Sequence, residues 1–122
     1  MRVLLDTHVL LWAVLDDPRL TRAQREAVAG GDVYLSAVSL WEIGIKRAIG
    51  KLDVPEGISE VALDAGCRPL PITWAHAVMA GDLPQHHADP FDRMLVAQAL
   101  SEGLALVSSD KRMAEYGVSV IA

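Results

Sequence analysis

One short segment concentrates more reactive side chains than any other part of this chain of 122 residues. Residues 86–93 read His-His-Ala-Asp-Pro-Phe-Asp-Arg, and these imidazole, carboxylate and guanidinium groups can bind metals, move protons or contact phosphate. Pro90 suits the first position of a helix, so Asp89 falls at the N-cap and can accept from a free backbone N–H. Asp92 lies in the same first turn, where it either completes a capping box or takes part in a reactive site.

Three further acidic residues lie where a predicted strand ends or early in the helix that follows. Asp6 and Asp110 each follow a short apolar run, and Glu42 lies one to two turns into the helix after another run. Each has an ordinary interpretation, because Asp6 and Asp110 suit helix caps and Glu42 can pair with Lys46 or close a box with Ser39. One shared site explains this placement better than independent accidents do.

Short apolar strands alternate with helices along the whole sequence, a pattern that predicts right-handed β-α-β units. The predicted fold class is α/β, a three-layer α/β/α sandwich with a central parallel sheet of four to five strands, formed by residues 1–122 as a single domain. Strands are predicted at residues 3–5, 33–35, 68–72, 104–107 and 118–121. Helices are predicted at residues 8–15, with Thr7 as cap, and at 21–29, 37–49, 58–65, 74–80, 90–103 and 111–116. The third strand contains two prolines and can therefore only be an edge strand or a short extended piece.

A central first strand would bring four carboxylates to the edge of the sheet where open α/β folds bind their ligands. These are Asp6, Glu42, Asp92 and Asp110. Such a cluster repels itself unless protons or a divalent cation are bound, and oxygen ligands favour Mg²⁺ or Mn²⁺ over Zn²⁺. His86 and His87 lack the i, i+4 spacing of a helical transition-metal site, so structural hydrogen bonding or orientation of a site residue is the favoured role.

The helix predicted at residues 37–49 has an apolar face and a polar face. Its apolar face contains Val38, Trp41, Ile45 and Ile49, and its polar face contains Ser39, Glu42 and Lys46. Trp12 and Trp74 also lie on apolar helix faces. For all three tryptophans the pattern predicts core packing or a subunit contact.

Five segments resemble motifs of the PIN domain family and, within it, of the VapC-type toxin ribonucleases. They are Leu-Leu-Asp-Thr-His at 4–8, the segment 35–43, Gly-Lys-Leu at 50–52, the segment 87–95 and Ser-Ser-Asp at 108–110. They run in the order of the family across essentially the whole chain, and the block from Asp89 to Arg93 is the most specific. The resemblance implies a Mg²⁺-dependent endoribonuclease, with Mn²⁺ as a substitute, that is usually held inactive by a cognate antitoxin and forms a homodimer.

Carried over by position, the acidic quartet of the family is Asp6, Glu42, Asp92 and Asp110. The resemblance implies that these four are both the catalytic residues and the metal ligands. Asp6 and Asp92 are the expected direct ligands, Glu42 binds a second ion or orients water, and Asp110 acts through a bridging water. Asp89 is kept as a helix cap.

Four further residues are assigned supporting roles around the quartet. Thr7 and Ser108 are expected to donate hydrogen bonds to the metal ligands. Arg93 and Lys46 are expected to contact the RNA backbone. For Lys46, solvation at the surface is an equally good interpretation of the sequence.

The formal net charge of −5, from 16 acidic and 11 basic residues, argues by itself against a protein that binds nucleic acid through a basic surface. Removing the four quartet carboxylates changes the charge from −5 to −1, so the excess is concentrated where a metal is expected. This distribution fits weak, metal-dependent binding of RNA. Cys67 is the only cysteine, which fits a reducing cytoplasm, and the apolar run at 9–15 is too short to span a membrane.

Two other functions use a similar pattern of elements. A receiver-like phosphoacceptor domain also holds Mg²⁺ in an acidic pocket, but it needs an aspartate at the end of a central third strand, and Leu70-Pro71-Ile72 offers none. A non-catalytic binding module with the same fold would bind a partner tightly and never cleave RNA.

Overall fold

A computed structural model describes residues 1–122 and contains a five-stranded sheet in which all strands are parallel. The strands are β1 (Arg2–Leu5), β2 (Asp32–Ser36), β3 (Arg68–Leu70), β4 (Ala105–Val107) and β5 (Val120–Ile121). Their order in the sheet is β3-β2-β1-β4-β5, so the first strand is central. The predicted α/β fold with a parallel sheet is confirmed, and the receiver-like alternative is wrong, because β3 lies at an edge and ends at Leu70.

The central strand divides the core into two layers. Val3 and Leu5 project into one hydrophobic cluster, and Leu4 between them projects into the other. All three are at most 1% exposed. The alternation follows from the period of two along a strand, and the absence of polar residues follows from burial on both faces.

Six α-helices and one 3₁₀ helix cover the sheet. They are α1 (Thr7–Val14), α2 (Arg22–Gly30), α3 (Ala37–Ala48), α4 (Ile58–Asp64), α5 (Trp74–Asp82), α6 (Pro90–Glu102) and the 3₁₀ helix Lys111–Tyr116. Side chains of α1 and α4 belong to the cluster that contains Val3, whereas α6 and the 3₁₀ helix belong to the cluster that contains Leu4. Thr7 is the first helical residue of α1 and Asp6 is its cap, so the prediction of Thr7 as the cap is wrong and the capping interpretation of Asp6 is confirmed.

The predicted orientation of α3 is wrong, because much of its apolar face is exposed and most of its polar face is buried. Trp41 is 62% exposed and Ile49 is 59% exposed, whereas Ser39 and Glu42 from the polar face are at most 2% exposed. The polar face is buried because it meets α1 at the carboxyl edge of the sheet, where its groups find hydrogen-bond partners. Trp41 instead packs edge-on against Phe91, with ring centroids 5.5 Å apart.

The other two tryptophans also lie outside the core. Trp74 is 88% exposed, and Trp12 is half-buried with the Arg19 guanidinium 5.1 Å from its ring centroid. Core packing is therefore excluded for Trp41 and Trp74, while a subunit contact stays a prediction.

Both edges of the sheet are short. β3 has three residues with Pro69 at its centre, in the edge position that its prolines predicted, and β5 has only two residues. None of the helices is both long enough and apolar enough to cross a membrane.

Candidate metal centre

Asp6 lies at the carboxyl end of the central strand and also caps the next helix. Its Oδ1 accepts a hydrogen bond of 2.8 Å from the backbone N–H of Val9, and the residue is 4% exposed. Burial raises the pKa of Asp6, and contacts with the Ser108 hydroxyl and the Val9 amide oppose this shift. Since the cap uses Oδ1, capping leaves Oδ2 for other contacts, and the cap and site interpretations are compatible.

The start of α6 is built as the sequence predicted for Asp89. Oδ1 of Asp89 accepts hydrogen bonds from the backbone N–H groups of Phe91 (2.8 Å) and Asp92 (3.1 Å), and Pro90 opens the helix. Asp92 does not complete a capping box, because the backbone N–H of Asp89 donates to Nδ1 of His87 instead, over 3.1 Å. The carboxylate of Asp92 is therefore available to the sheet edge.

His87 lies between two carboxylates of the predicted quartet. Its Nε2 is 3.0 Å from Oδ2 of Asp110, with hydrogen-bond geometry, and 3.0 Å from Oδ2 of Asp92. The imidazole is 4% exposed, and the two carboxylates are 25% and 18% exposed, so solvent reaches the carboxylates but hardly the ring. These three groups place their ligand atoms within 4.8 Å of one another.

Asp92 experiences the negative charge of the whole acidic cluster. Burial raises its pKa to about 7, and repulsion from Asp89, Asp6, Glu42 and Asp110 adds to this shift. Coulomb repulsion falls with distance, so the sheet topology has brought residues separated by up to 104 positions in sequence close together. All four predicted quartet members lie at this edge.

Asp110 differs from Asp92 although both contact the same imidazole. It caps the 3₁₀ helix, and hydrogen bonds from the Arg112 guanidinium are the main cause that lowers its pKa to about 2. Its backbone N–H donates to Oγ of Ser108 over 3.1 Å. The hydroxyl of Ser108 thus contacts both the backbone N–H of Asp110 and the carboxylate of Asp6, and its supporting role toward a metal stays a prediction.

Glu42 is fully enclosed and hydrogen-bonded through both of its oxygens. Oε1 accepts from the Thr7 hydroxyl over 2.6 Å, and Oε2 lies 2.5 Å from Nζ of Lys46. Oγ of Ser39 lies 3.0 Å from the Thr7 hydroxyl oxygen. Thr7 therefore donates to Glu42, while its support of a metal ligand stays a prediction, and Lys46 is the i, i+4 partner that the sequence offered as an alternative.

Arg93 does not lie in the acidic cluster. Its guanidinium donates to the backbone carbonyls of Ala80 (2.8 Å), Leu83 (3.0 Å) and Pro84 (2.8 Å), and the residue is 9% exposed. These bonds join α6 to the end of α5 and to the loop between them, and they already use both terminal nitrogens of the guanidinium. The interpretation of Arg93 as an RNA contact is therefore not retained.

The sequence had left the roles of the two adjacent histidines open. His87 contacts the site, whereas His86 packs against Tyr116 with ring centroids 5.0 Å apart and lies 3.8 Å from Glu115. No spacing rule separates the two, because the Asp110 partner of His87 is 23 positions away in sequence.

The donor set fits a hard divalent cation. Carboxylate oxygens dominate it, two of the carboxyl groups remain partly exposed, and mutual repulsion at Asp92 is the strain that a bound cation relieves. The possible ligands of such an ion are Asp6, Glu42, Asp92 and Asp110.

Comparisons with known proteins agree with this geometry. The family model described as PIN domain matches residues 3–118. Ribonuclease VapC22 of Mycobacterium tuberculosis (strain ATCC 25618 / H37Rv) is 30% identical to this chain over an alignment of 123 positions. The alignment covers 93% of this chain and 91% of that protein.

Solved structures with the same fold include VapBC2 from Rickettsia felis bound to a promoter DNA fragment, at 14% identity and a TM-score of 0.70, covering 98% of this chain and 97% of that chain. A toxin-antitoxin complex from Klebsiella pneumoniae has 17% identity and a TM-score of 0.69, covering 98% and 96%. FitAcB from Neisseria gonorrhoeae has 20% identity and a TM-score of 0.68, also covering 98% and 96%. At these identities the likeness concerns the fold alone.

Proposed function

The chain belongs to the PIN domain family, and we propose that it is a metal-dependent endoribonuclease that hydrolyses RNA phosphodiester bonds as the toxin of a toxin–antitoxin pair. One observation carries the proposal. Oδ2 of Asp92 and Oδ2 of Asp110 each lie 3.0 Å from Nε2 of His87, at the edge of the sheet where a ligand is expected, and the charges of Asp6, Glu42 and Asp110 all act on Asp92.

The proposed cofactor is Mg²⁺, with Mn²⁺ as a substitute, held by Asp6 and Asp92 with support from Glu42 and Asp110. When bound, the cation would polarise the phosphodiester and make a water molecule easier to deprotonate. The partly exposed carboxyl groups of Asp92 and Asp110 lie where a long polymer can approach them.

Residues of the chain itself orient the carboxylates and hold or transfer protons. Thr7 fixes one oxygen of Glu42, which keeps this carboxylate aimed at the cluster. Asp110 stays ionised over the physiological range, because its pKa is held at about 2. Asp92, with a pKa near 7, can take up or release a proton at neutral pH when no cation neutralises its neighbours.

Lys46 is the proposed contact to the RNA backbone. Its side chain is 33% exposed, and Glu42 anchors its ammonium beside the acidic cluster. A phosphate that approaches the cluster would be attracted by this positive charge. The proposal for Lys46 depends on this exposure, which Arg93 lacks.

The activity is tested with the full chain, a labelled RNA and Mg²⁺. We expect cleavage that stops with EDTA and falls by at least about 100-fold in Asp6→Asn and Asp92→Asn, whose thermal melts still show a folded protein. Asp64→Asn, an exposed acid at the end of α4, is the matched control and should cleave like the parent. Undiminished cleavage by Asp6→Asn and Asp92→Asn would contradict the assignment of the quartet as catalytic residues and metal ligands.

The proposed partner is a separate antitoxin chain, and the proposed location is the cytoplasm, where RNA is available. One of the structural neighbours is a toxin–antitoxin complex from Klebsiella pneumoniae, which supports this choice. Co-expression with the product of a small adjacent gene should suppress cleavage. Binding of such a partner by a parent chain that never cuts RNA would instead favour the non-catalytic module. Homodimerisation also stays a prediction, which size-exclusion chromatography with light scattering measures.

A further inference from the structure

Three ligand-type atoms near one another normally indicate a mixed nitrogen and oxygen metal site. Nε2 of His87 with Oδ2 of Asp92 and Oδ2 of Asp110 forms such a set when distance alone is considered. A histidine nitrogen binds a metal only through a free lone pair, so the position of the ring proton decides whether this set can work.

A hydrogen bond from the backbone determines which ring nitrogen of His87 carries the proton. Nδ1 of His87 is 3.1 Å from the backbone nitrogen of Asp89 and accepts its N–H, which occupies the Nδ1 lone pair. A neutral imidazole carries its proton on the other nitrogen, so Nε2 is a donor. Its N–H is directed at Asp110, and Asp92 lies at the same distance.

The Asp89 N–H that selects this tautomer is itself held in place. Asp89 caps α6 through two backbone hydrogen bonds, and Pro90 fixes the chain direction at the first helical position. The ring of His87 is 4% exposed and cannot readily turn over. The helix start therefore dictates both the tautomer and the orientation of the imidazole.

We propose that His87 is a positioning residue whose Nε2–H donates to the Asp110 carboxylate, and whose ring holds Asp110 and the neighbouring Asp92 carboxylate in place for a divalent cation, and that it is not a metal ligand. This inference rests on the proposed function, because it concerns the same site. It makes the centre an all-oxygen site, which suits Mg²⁺ and Mn²⁺, although a nitrogen lies within reach of two of its carboxylates.

Nitrogen-15 NMR of the full chain reads the tautomer directly, and with only four histidines the rings can be assigned by single substitutions. We expect His87 to carry its proton on Nε2 and none on Nδ1, both in EDTA and at saturating Mg²⁺. A proton on Nδ1 in EDTA, or loss of the Nε2 proton when Mg²⁺ binds, would overturn the inference.

Substitutions of His87 distinguish a positioning role from a merely structural role, and calorimetry measures the Mn²⁺ affinity of each variant. His87→Ala removes the donor and should weaken Mn²⁺ binding by about tenfold or more. His87→Gln carries an amide N–H near the position of Nε2 and should restore most of this loss. His86→Ala is the matched control and should bind like the parent, because His86 is 41% exposed and faces Glu115.

The outcomes distinguish this inference from the function on which it rests. A parent chain that binds no Mn²⁺ contradicts the proposed function together with the inference. A parent that binds Mn²⁺ and cleaves RNA, but whose His87→Ala variant binds Mn²⁺ equally well or whose His87→Gln variant binds no better than His87→Ala, contradicts the positioning role alone. The tautomer measurement on the parent remains decisive even where a variant fails to fold.

Discussion

Nζ of Lys46 lies 2.5 Å from Oε2 of Glu42, so the acidic cluster contains a cation supplied by the chain itself. The hydrogen bond to Glu42 is the main cause that raises the pKa of Lys46, and the charges of Asp89 and Asp92 contribute. Because Glu42 is 2% exposed, this pair compensates a buried charge and differs from an ordinary surface ion pair.

Lys46→Met removes this internal cation. In EDTA the free energy of unfolding should fall by about 1.5 kcal/mol, the low end for a charged hydrogen bond because the lysine is one-third exposed. Mn²⁺ should bind more tightly, since no ammonium competes for the carboxylates, whereas RNA cleavage at saturating metal should be slower. Thermal melts, calorimetry and cleavage assays measure the three effects.

Lys51→Met serves as the control for that experiment, because Lys51 is exposed and forms no ion pair. Weaker Mn²⁺ binding in Lys46→Met than in Lys51→Met would show that Lys46 does not compete with the metal.

Asp92→Asn should change how stability depends on pH. A raised carboxyl pKa means that the folded chain holds the proton more tightly than the unfolded chain, so its contribution is largest below the ordinary value of 3.8 and is lost as pH rises through about 7. The full shift corresponds to at most about 4 kcal/mol, and partial exposure reduces this to about 1–2 kcal/mol. In EDTA at pH 8 the variant should therefore be more stable than the parent.

The measurement is urea unfolding at pH 5 and pH 8 for the parent, Asp92→Asn and Asp64→Asn. The stability advantage of Asp92→Asn should grow between the two pH values, and Asp64→Asn should show no such trend. A variant that is less stable than the parent at pH 8 would contradict the raised pKa.

Divalent cations should stabilise the folded chain. At a free concentration one hundred times the dissociation constant, Mg²⁺ or Mn²⁺ should add about 2.7 kcal/mol to the free energy of unfolding. The increase in Tm should be much smaller in Asp92→Asn, because that variant loses a proposed ligand. An equal increase in Tm in the parent and in Asp92→Asn would indicate that the stabilising ion binds away from Asp92.

Arg93→Lys should lower stability without removing activity. The compact ammonium of lysine lacks the rigid fork of the guanidinium and does not span all three acceptors, so at least one carbonyl of Ala80, Leu83 and Pro84 loses a charged donor, at a cost of about 1.5–3 kcal/mol. Urea unfolding and cleavage per folded molecule measure the two effects. Unchanged stability together with a raised KM for RNA would instead support the interpretation of Arg93 as a contact to the RNA backbone.

The sequence predicted those parts of the structure that depend on neighbouring residues. Asp89 and Pro90 start a helix through hydrogen bonds within four positions, so their roles were visible in the segment itself. The central position of β1 was equally visible, because Val3, Leu4 and Leu5 form an apolar run that suits burial on both faces.

Features that depend on distant partners were not visible. The amphipathic pattern of α3 predicted burial of Trp41, because it could not show that Thr7 would receive Glu42 on the polar face. Arg93 resembled a phosphate contact because its carbonyl acceptors belong to backbone, which has no signature in sequence. The catalytic roles of the quartet stay predictions until the variants are measured.

The margins of the sheet limit how copies of this chain can join. Pro69 removes an amide donor from the middle of β3, and β5 is too short to template a longer ladder. Edge-to-edge growth into fibrils by strand addition is therefore disfavoured at both sides of the sheet.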